Sequence, residues 1–413
     1  MAKGGIIAAL DVGTTKVCSI LASLTDNNRM QILGVGVAPS RGMSKGLVVN
    51  LDETRESIRE SVRQAELVSG ARMVSAYVGV TGKHVSSINN RGVVAISRGD
   101  RLVRSSDLER VLESARSVTI PGDRKVLHVI PRQYILDGHP GIKDPVGMHG
   151  FKLDVETHVV TAAMASVRNL VKCVDEAGLE VADLVLEPLA ASEAVLDPDE
   201  KEAGVILCDI GGGTTDVAVF RGGSIWYTSV LPIGGYQVTR DIAIGLGIPF
   251  DTAEEIKKRY GNVAPSEMAG QDFGTDSLEL KTDNGYVIAS RDLSYIIKAR
   301  IEETLRMILA GLPPAGEYGV IAPSGLVLIG GTANLPGIEA FAQEVSGLGA
   351  RVGIPQDIYG LTEALYNPAY ATGVGLLLWA TKRQVAGYAE SQAKKGNVFT
   401  RFFTEVGRLF GQG

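Results

Sequence analysis

One glycine-rich turn occurs twice in this sequence, each time directly after a buried apolar strand, and this duplication constrains the fold more than any other feature. The first copy is IIAALDVGTTK at residues 6–16, and the second is VILCDIGGGTTD at residues 205–216. Strand-like segments and then a helical pattern follow each copy, and the first helical pattern places Ile58, Val62, Ala65 and Leu67 on one side. Because the same order of elements returns after about 200 residues, the sequence predicts two similar α/β domains.

The two turns carry the groups that a phosphate-binding site needs. Consecutive backbone N–H groups and hydroxyls, with no large side chains, allow a phosphate to approach closely. A carboxylate heads each turn and is suited to hold a hydrated Mg²⁺, which prefers oxygen ligands and keeps most of its waters. Either turn alone is equally well explained as a simple hairpin, so the pair carries the prediction. The predicted nucleotide-binding residues are Asp11, Gly13, Thr14, Thr15 and Lys16, then Asp209, Gly211, Gly212, Gly213, Thr214 and Thr215. Asp11 and Asp209 are the predicted Mg²⁺ ligands, through water.

A third glycine turn, GGTANLPG at residues 330–337, follows the apolar strand SGLVLIGG and precedes the helical segment IEAFAQEV. The backbone at Gly330 and Gly331 is expected to lie flat against an adenine, with Asn334 as a further contact. Alone, this segment is an ordinary strand-to-helix turn. The sequence contains no GxxxxGK[ST], HExxH or CxxC motif, and its histidines lack metal-ligand spacing.

Composition limits the partners and the membrane topology. The chain has 413 residues, 45% of them hydrophobic, with a formal net charge of −6. A chain of this length and apolar content is expected to form more than one core. We expect no nucleic-acid partner, because a surface that coats phosphates needs clustered Lys and Arg. The N-terminus lacks the features of a signal peptide, and no apolar run reaches the ~20 residues of a membrane-spanning helix. The three cysteines are expected to be buried thiols.

DVGTTK, EPLAAS, DIGGGTTD and GGTANLPG stand in the order found in the actin, Hsp70 and sugar-kinase superfamily, which this chain resembles. The resemblance implies ATP and Mg²⁺ as cofactors and at most a slow ATPase activity. It also implies that Glu187 of EPLAAS positions the attacking water. Glu254 and Lys257 in TAEEIKKRYG resemble the pair that contacts ribose and adenine, although a solvated helix face explains them equally well.

The block between the two halves narrows the resemblance. The stretch HVIPRQYILDGHPGIKDPVGMHGFKLDVETHVVTA at residues 128–162 closely resembles the insertion that distinguishes the FtsA family of bacterial cell-division proteins. This implies an α/β, actin-like two-domain fold, with duplicated ribonuclease H-like sheets around a nucleotide cleft and an inserted 1C subdomain. The expected parts are 1A at 1–83, 162–200 and 366–384, 1C at 84–161, 2A at 201–232 and 294–365, 2B at 233–293, a flexible linker at 385–397 and an amphipathic membrane-targeting helix at 398–413.

The same resemblance implies the partners. It predicts self-association into filaments, recruitment of later division proteins through 1C, and capture of the FtsZ C-terminal tail by 2B. Arg291 and Arg300 are the basic residues predicted to contact that tail, although surface arginines are usually only solvated. The expected location is the cytoplasmic face of the inner membrane at the division septum, where the protein tethers the FtsZ ring.

The last residues, NVFTRFFTEVGRLFGQG, form an amphipathic helical pattern. Twelve residues span only ~18 Å at ~1.5 Å each, less than the ~30 Å hydrocarbon layer, so the helix is expected to lie on a bilayer. Four basic residues and one acidic residue give residues 394–413 a net charge of +3, which favours anionic lipid. A helix docked on the protein's own core is the alternative. The predicted membrane residues are Phe399, Phe402, Phe403, Val406, Leu409 and Phe410, with Arg401 and Arg408 on the polar face.

Three other functions stay open at this point. A sugar or acetate kinase of the same superfamily would use the cleft for phosphoryl transfer, but a kinase has little use for a lipid-seeking tail. An Hsp70-type chaperone would need a peptide-binding domain, for which the sequence leaves no room. A pilus-assembly adaptor is the strongest rival, and the IPRQYILDGHPGIKDPVGM stretch favours the FtsA family over it.

Overall fold

The structure is a computed structural model that describes residues 5–25, 29–117, 120–263, 279–281, 285–313 and 322–393. The first half begins with three long strands, a short hairpin and a helix. In chain order the elements are β1 (Ile6–Val12), β2 (Lys16–Leu24), β3 (Met30–Pro39), β4 (Met43–Ser44), β5 (Leu47–Val48), α1 (Leu51–Ser69) and β6 (Ser75–Val80). The inserted block and the return to the first half follow as β7 (Val85–Ala95), α2 (Ser105–Arg116), β8 (Arg124–Leu136), β9 (His139–Ile142), β10 (Lys152–Ala163), α3 (Met164–Glu176), β11 (Glu180–Leu186), α4 (Glu187–Val195) and α5 (Pro198–Ala203).

The second half repeats the pattern of the first. Its elements are β12 (Val205–Ile210), β13 (Thr215–Arg221), β14 (Ser224–Leu231), α6 (Gly235–Leu246), α7 (Phe250–Tyr260), β15 (Glu279–Lys281), β16 (Val287–Ala289), α8 (Ser290–Ala310), β17 (Leu326–Ile329), α9 (Ile338–Ser346) and β18 (Ala350–Val352). The chain then returns to the first half through β19 (Ile358–Gly360) and α10 (Ala371–Ala393), with short 3₁₀ turns at Gly331–Asn334, Glu363–Leu365 and Pro368–Tyr370.

The two main sheets share a five-strand topology, to which the first sheet adds the edge strand β19. In the described part of the chain, the first sheet runs β11-β6-β1-β2-β3-β19 and the second runs β14-β13-β12-β17-β18. Each contains an antiparallel meander of three strands followed by parallel strands, because β6 pairs parallel with β1 and β17 pairs parallel with β12. The duplication predicted from the glycine turns is therefore confirmed at the level of strand order.

The helices α4 and α10 lie between the two sheets. Their apolar side chains share one core with strands of both halves, including Ile20 of β2, Leu207 of β12 and Leu377 of α10. The outer faces form separate cores, one with α1 and α3 on the first sheet and one with α6, α8 and α9 on the second. Burial on both faces explains why the central strands read as continuous apolar runs.

The inserted block has its own sheet, β7-β10-β8-β9, and its own small core with α2. It also packs against β14, the edge strand of the second sheet. Ser87 Oγ donates to the Thr228 carbonyl at 3.2 Å, and His158 Nε2 lies 3.0 Å from Thr228 Oγ1. The insertion therefore covers an edge that would otherwise expose unpaired backbone groups.

Two expectations about helices need correction. In α1 the side chains of Ile58, Val62 and Ala65 are buried as predicted, but Leu67 is 82% exposed, because it is rotated off the apolar stripe by the helical repeat. The flexible linker predicted at 385–397 is also wrong for its first part, since α10 continues to Ala393. Residues 385–393 include three Ala and no Pro, so helix propensity extends the helix already nucleated by packing.

Of the polar stretch at 262–276, only residues 262 and 263 are among the described residues. The predicted membrane helix at 398–413 lies wholly outside them. Within the described residues, no helix is long and apolar enough to cross a membrane. The cysteines Cys18, Cys173 and Cys208 are free thiols and are buried, as expected.

Candidate functional site: a cleft formed by three glycine turns

The first two glycine turns have the same geometry and lie against each other across the cleft. Gly13 N–H donates to the Lys16 carbonyl at 3.0 Å, and Gly211 N–H donates to the Thr214 carbonyl at 2.9 Å. A Cβ atom added to Gly212 would lie 2.2 Å from Thr15 Cγ2, and one added to Gly213 would lie 2.8 Å from Thr14 Cγ2. Only glycine permits this approach, so the glycine run in the second turn brings the two turns together.

Four carboxylates converge behind these turns. Asp11, Glu187 and Asp216 are buried, and Asp209 is half-buried. Burial raises the pKa of Asp11 to about 6, an effect that the Lys16 charge opposes. Burial and the Asp11 charge raise the pKa of Asp209 to about 6 as well. Asp11 and Asp209 therefore lie close enough for the Asp11 charge to act on Asp209.

The pKa values of the other two carboxylates, Glu187 and Asp216, are raised further. Burial and then the charges of Asp11, Asp216 and Asp209 raise the pKa of Glu187 well above its usual value. Burial and the Asp209 charge raise the pKa of Asp216 to about 7. Lys16 is the cation beside these four carboxylates, so much of their negative charge is left for a bound cation to neutralise. Sequence reasoning did not assign Asp216 to the site, although its place at the end of DIGGGTTD was visible.

The donor set fits Mg²⁺ held through water rather than by direct ligation. Among the residues that the structure describes, no group of three or more His, Cys, Asp or Glu side chains is close enough to bind a metal directly. Mg²⁺ keeps several of its waters and uses one or two carboxylates, so Asp11 and Asp209 on opposite turns match its requirements.

Lys16 lies inside the cleft and contacts a segment that sequence reasoning did not connect to it. Its Nζ donates to the Ala369 carbonyl and sits 3.7 Å from the centre of the Tyr370 ring. Burial lowers the pKa of Lys16, while the charges of Asp11, Cys18 and Asp209 oppose that shift. The ammonium group is thus held at the edge of the carboxylate cluster, where a phosphate would meet it.

Glu254 and Lys257 on α7 belong to the same cleft. Lys257 Nζ donates to Glu254 Oε2 at 2.6 Å, to Thr239 Oγ1 at 2.8 Å and to the Gly235 carbonyl at 3.1 Å. The Lys257 side chain is only 13% exposed, so the pair does not form a solvated helix face. Burial opposes ionisation of Glu254, but the Lys257 charge and hydrogen bonds hold the Glu254 pKa below its usual value.

The third glycine turn closes the site. Gly330 has a φ of +88°, and a Cβ atom there would lie 2.4 Å from Asp209 Oδ1, so this position requires glycine. Thr332 Oγ1 donates to the Gly211 carbonyl at 3.3 Å, which joins the third turn to the second. Asn334 Nδ2 donates to Asn367 Oδ1 at 3.0 Å. The third turn thus lies beside the second, and Thr332 comes close to Gly235, whose carbonyl accepts a hydrogen bond from Lys257.

The two arginines predicted to contact a partner lie elsewhere, on α8. Arg300 pairs with Asp241 of α6 and with Glu303, and Arg291 is exposed near the start of the helix. A groove between α6 and α8 surrounds Arg300. Ile244 and Tyr295 on its walls are 71% and 75% exposed. The predicted membrane residues of 398–413 lie outside the described residues.

Solved structures of other proteins share this fold at low sequence identity. The structure titled PilM-PilN type IV pilus biogenesis complex matches with a TM-score of 0.61 at 17% identity and covers 91% of this chain and 98% of its own. MreB5 of Spiroplasma citri bound to ADP matches with a TM-score of 0.53 at 14% identity, covering 93% and 98%. Together with the duplicated sheets and the cleft between them, these matches define an actin-like protein.

Sequence relatives then give the family. The model described as cell division protein FtsA matches residues 206–375, and the SHS2 domain inserted in FtsA matches residues 82–161. Cell division protein FtsA of Pseudomonas aeruginosa is 41% identical, with 94% of this chain and 92% of that protein covered. The Escherichia coli protein of the same description is 37% identical, with 94% and 93% covered. The chain belongs to the FtsA family of cell division proteins. A model described as type IV pilus assembly protein PilM also matches residues 140–269.

Proposed function

We propose that this protein is a nucleotide-gated membrane adaptor, which binds Mg-ATP, self-associates and tethers FtsZ filaments to the cytoplasmic face of the cell membrane at the division septum. The observation that carries the proposal is the convergence of three glycine turns on one cluster of buried carboxylates. Membership of the FtsA family supplies the context of cell division.

Each part of the cleft has a role in nucleotide binding. The N–H groups of Thr14, Thr15, Gly212 and Gly213 and the hydroxyls of Thr14 and Thr15 donate to phosphate oxygens, and Lys16 neutralises the phosphate charge. Asp11 and Asp209 hold the waters of Mg²⁺, which supplies positive charge to the phosphates when bound. Glu254 and Lys257 contact the ribose and the base, while Gly330, Gly331 and Asn334 form the surface on the other side of the base.

Glu187 is the residue proposed to orient the attacking water. It is the first residue of α4, it is buried, and its Cγ lies 3.0 Å from the position of a Cβ on Gly79. Burial and the charges of neighbouring carboxylates raise the Glu187 pKa above its usual value. The slow hydrolysis that we propose suits a switch better than a metabolic enzyme.

Self-association follows from the same class of fold. Among the solved structures with this fold is one titled MamK double helical filament, with a TM-score of 0.51. A filament places many tails side by side, so weak membrane contacts add up to firm attachment by avidity. The predicted amphipathic helix at 398–413 is the proposed lipid contact, with Phe399, Phe402, Phe403, Val406, Leu409 and Phe410 in the bilayer interface. The inserted subdomain 1C is the proposed contact for later division proteins.

The groove between α6 and α8 is the proposed site for the FtsZ C-terminal tail. It combines the exposed apolar side chains of Ile244 and Tyr295 with the guanidinium group of Arg300. Such a combination suits an amphipathic peptide with acidic residues. Arg300 would exchange part of its pairing with Asp241 and Glu303 for a peptide carboxylate, and Arg291 lies in the first turn of the same helix.

Calorimetric titration of Mg-ATP tests the proposal. Asp209→Ala removes one of the two facing carboxylates, so binding should fall below detection while the wild-type chain binds. Asp199→Ala on α5, where the side chain is exposed, is the matched control and should bind like the wild type. Equal affinity of the Asp209→Ala variant would rule out the proposed magnesium role.

A pilus-assembly adaptor is the second candidate, because the PilM family model matches residues 140–269. The SHS2 domain match and the FtsA relatives over more than nine-tenths of the chain favour the first. A pull-down with a peptide of the FtsZ C-terminus separates the two, since a pilus adaptor has no reason to retain it.

A further inference from the structure

The short segment from Asn367 to Thr372 contacts all three glycine turns. Lys16 of the first turn donates to the Ala369 carbonyl. Thr372 Oγ1 donates to Asp209 Oδ2, at the head of the second turn, at 3.1 Å. The third turn is bonded twice, since Gly330 N–H donates to the Pro368 carbonyl and Asn334 donates to Asn367 Oδ1, both at 3.0 Å.

This segment also starts the last helix of the described chain. Thr372 lies in the first turn of α10, whose backbone comes very close to α4, because a Cβ on Gly375 would lie 2.1 Å from the Ala190 carbonyl oxygen. Apolar side chains along α10 are fully buried between the two sheets, among them Val374, Leu377 and Ala380. A helix packed this closely moves as a rigid body rather than by bending.

Ion pairs fix the other end of the packed part of α10. Lys382 pairs with Glu193 near the end of α4, and Arg383 pairs with Asp183 of β11 at 2.5 Å. The helix α4 begins with Glu187 in the cleft. The two helices between the sheets therefore run together from the nucleotide site to Lys382 and Arg383.

We propose that Asn367, Ala369 and Thr372 form a sensing junction, through which nucleotide binding in the cleft changes the position and stability of α10. The inference rests on the proposed nucleotide site and adds the route by which occupancy reaches the C-terminal segment. Lys16 exchanges the Ala369 carbonyl for a phosphate oxygen when nucleotide is present. With Mg²⁺ bound, Asp209 would instead accept hydrogen bonds from the waters of the ion, so its bond from Thr372 would weaken. Both contacts at the start of α10 thus depend on nucleotide, and the packed helix carries the change along its length.

Coupling of this kind is reciprocal. If nucleotide shifts the equilibrium of α10 by some factor, a change that fixes α10 shifts nucleotide affinity by the same factor. Thr372 and Asn367 are therefore positioning residues for the site, because they act through Asp209 and Asn334.

Hydrogen exchange of the full chain, with and without Mg-ATP, tests the junction. In the wild type, Mg-ATP should change the exchange rates of amides in residues 371–383. Thr372→Val keeps the shape of the side chain but removes the donor to Asp209, so the ATP-dependent change should be lost. Thr381→Val is the matched control on the same helix, because the Thr381 hydroxyl donates only to the Leu377 carbonyl among the described contacts, at 2.9 Å. It should keep the wild-type response, and Thr372→Ser should restore it.

Asn367→Ala provides a second variant that does not touch Asp209, and it should also reduce the response. Nucleotide binding of every variant is measured in parallel by calorimetry. Suppose that the wild type binds Mg-ATP but residues 371–383 exchange equally with and without it, or that Thr372→Val responds like Thr381→Val. Either result overturns the junction and leaves the nucleotide site standing. If the wild type binds no nucleotide, the proposed function fails and the junction fails with it.

Discussion

The Thr81 hydroxyl at the end of β6 donates a hydrogen bond to the Asp216 carboxylate at the start of β13, and this bond joins the two halves of the protein across the cleft. Both residues are buried, with exposed fractions of 8% and 2%. Asp216 lies beside Asp209 and Glu187, so the bond also supplies a donor to a carboxylate whose neighbours are carboxylates too.

Thr81→Val should destabilise the protein. A hydrogen bond to a charged group contributes about 1.5–3 kcal/mol, and the variant leaves a buried carboxylate without one of its donors. The free energy of unfolding from denaturant titration measures the loss. Thr25→Val is the control, because the Thr25 hydroxyl lies at an exposed site, and its effect should stay within about 0.5 kcal/mol. An unchanged unfolding midpoint for Thr81→Val would show that the bond does not link the halves energetically.

Gly212→Ala should force the two glycine turns apart. The added methyl group would lie 2.2 Å from Thr15 Cγ2, and overpacking of this kind costs about 1–3 kcal/mol. Nucleotide affinity should fall along with stability, as followed by calorimetry and thermal melting. Combining the change with Thr15→Ser removes the opposing methyl group and should recover part of both losses. Additive effects in the double variant would mean that the turns do not touch in solution.

Binding of Mg-ATP should weaken as the pH falls through about 6, the raised pKa of Asp11 and Asp209. Ionised carboxylates attract the hydrated cation, so affinity is fully present well above that pH, and protons compete below it. The decrease is about tenfold for each pH unit per proton taken up. Calorimetry from pH 8 to pH 5 measures it, and titration of Mg²⁺ into ATP without protein in the same buffers corrects for protonation of the nucleotide. A midpoint near the ordinary carboxyl value of about 4 would contradict the buried site.

Phe403→Glu should release the protein from anionic vesicles. A carboxylate on the apolar face of the predicted tail helix removes one buried aromatic side chain, worth about 1.5–3 kcal/mol, and opposes the lipid charge. Thr404→Glu adds the same charge on the polar face and should weaken binding much less. Co-sedimentation with vesicles measures both, and melting temperatures should agree within error. Equal pelleting of the two variants would exclude an amphipathic anchor.

Arg300→Glu should weaken capture of a peptide from the FtsZ C-terminus by at least about tenfold, because a repulsive charge replaces the cation in the groove. Fluorescence anisotropy with a labelled peptide gives the affinity. Arg63→Glu on α1, another arginine that forms an ion pair at the surface, is the control and should not change it. Equal affinity of the Arg300→Glu variant would move the peptide site away from the groove between α6 and α8.

Much of the fold follows from local sequence patterns. The glycine turns, the strands on either side of them and the helix at EPLAAS are where the sequence predicts, because glycine spacing and apolar runs encode local conformation directly. The failures are at helix margins. Leu67 was assigned to the buried face of α1 although it is exposed, and residues 385–393 continue α10 although their polar composition favours a linker.

The sequence alone determined the duplication, the three glycine turns and the FtsA-type insertion, because continuous segments of the chain encode each of them. Only the tertiary structure decided that Lys16 meets Ala369 and that Thr81 meets Asp216, pairs separated by 353 and 135 positions. Periodicity fixes which face of an element is buried, but it holds no information about how two domains are placed relative to each other. That placement comes from the packing of both sheets on α4 and α10, and it brings the residues of the cleft together.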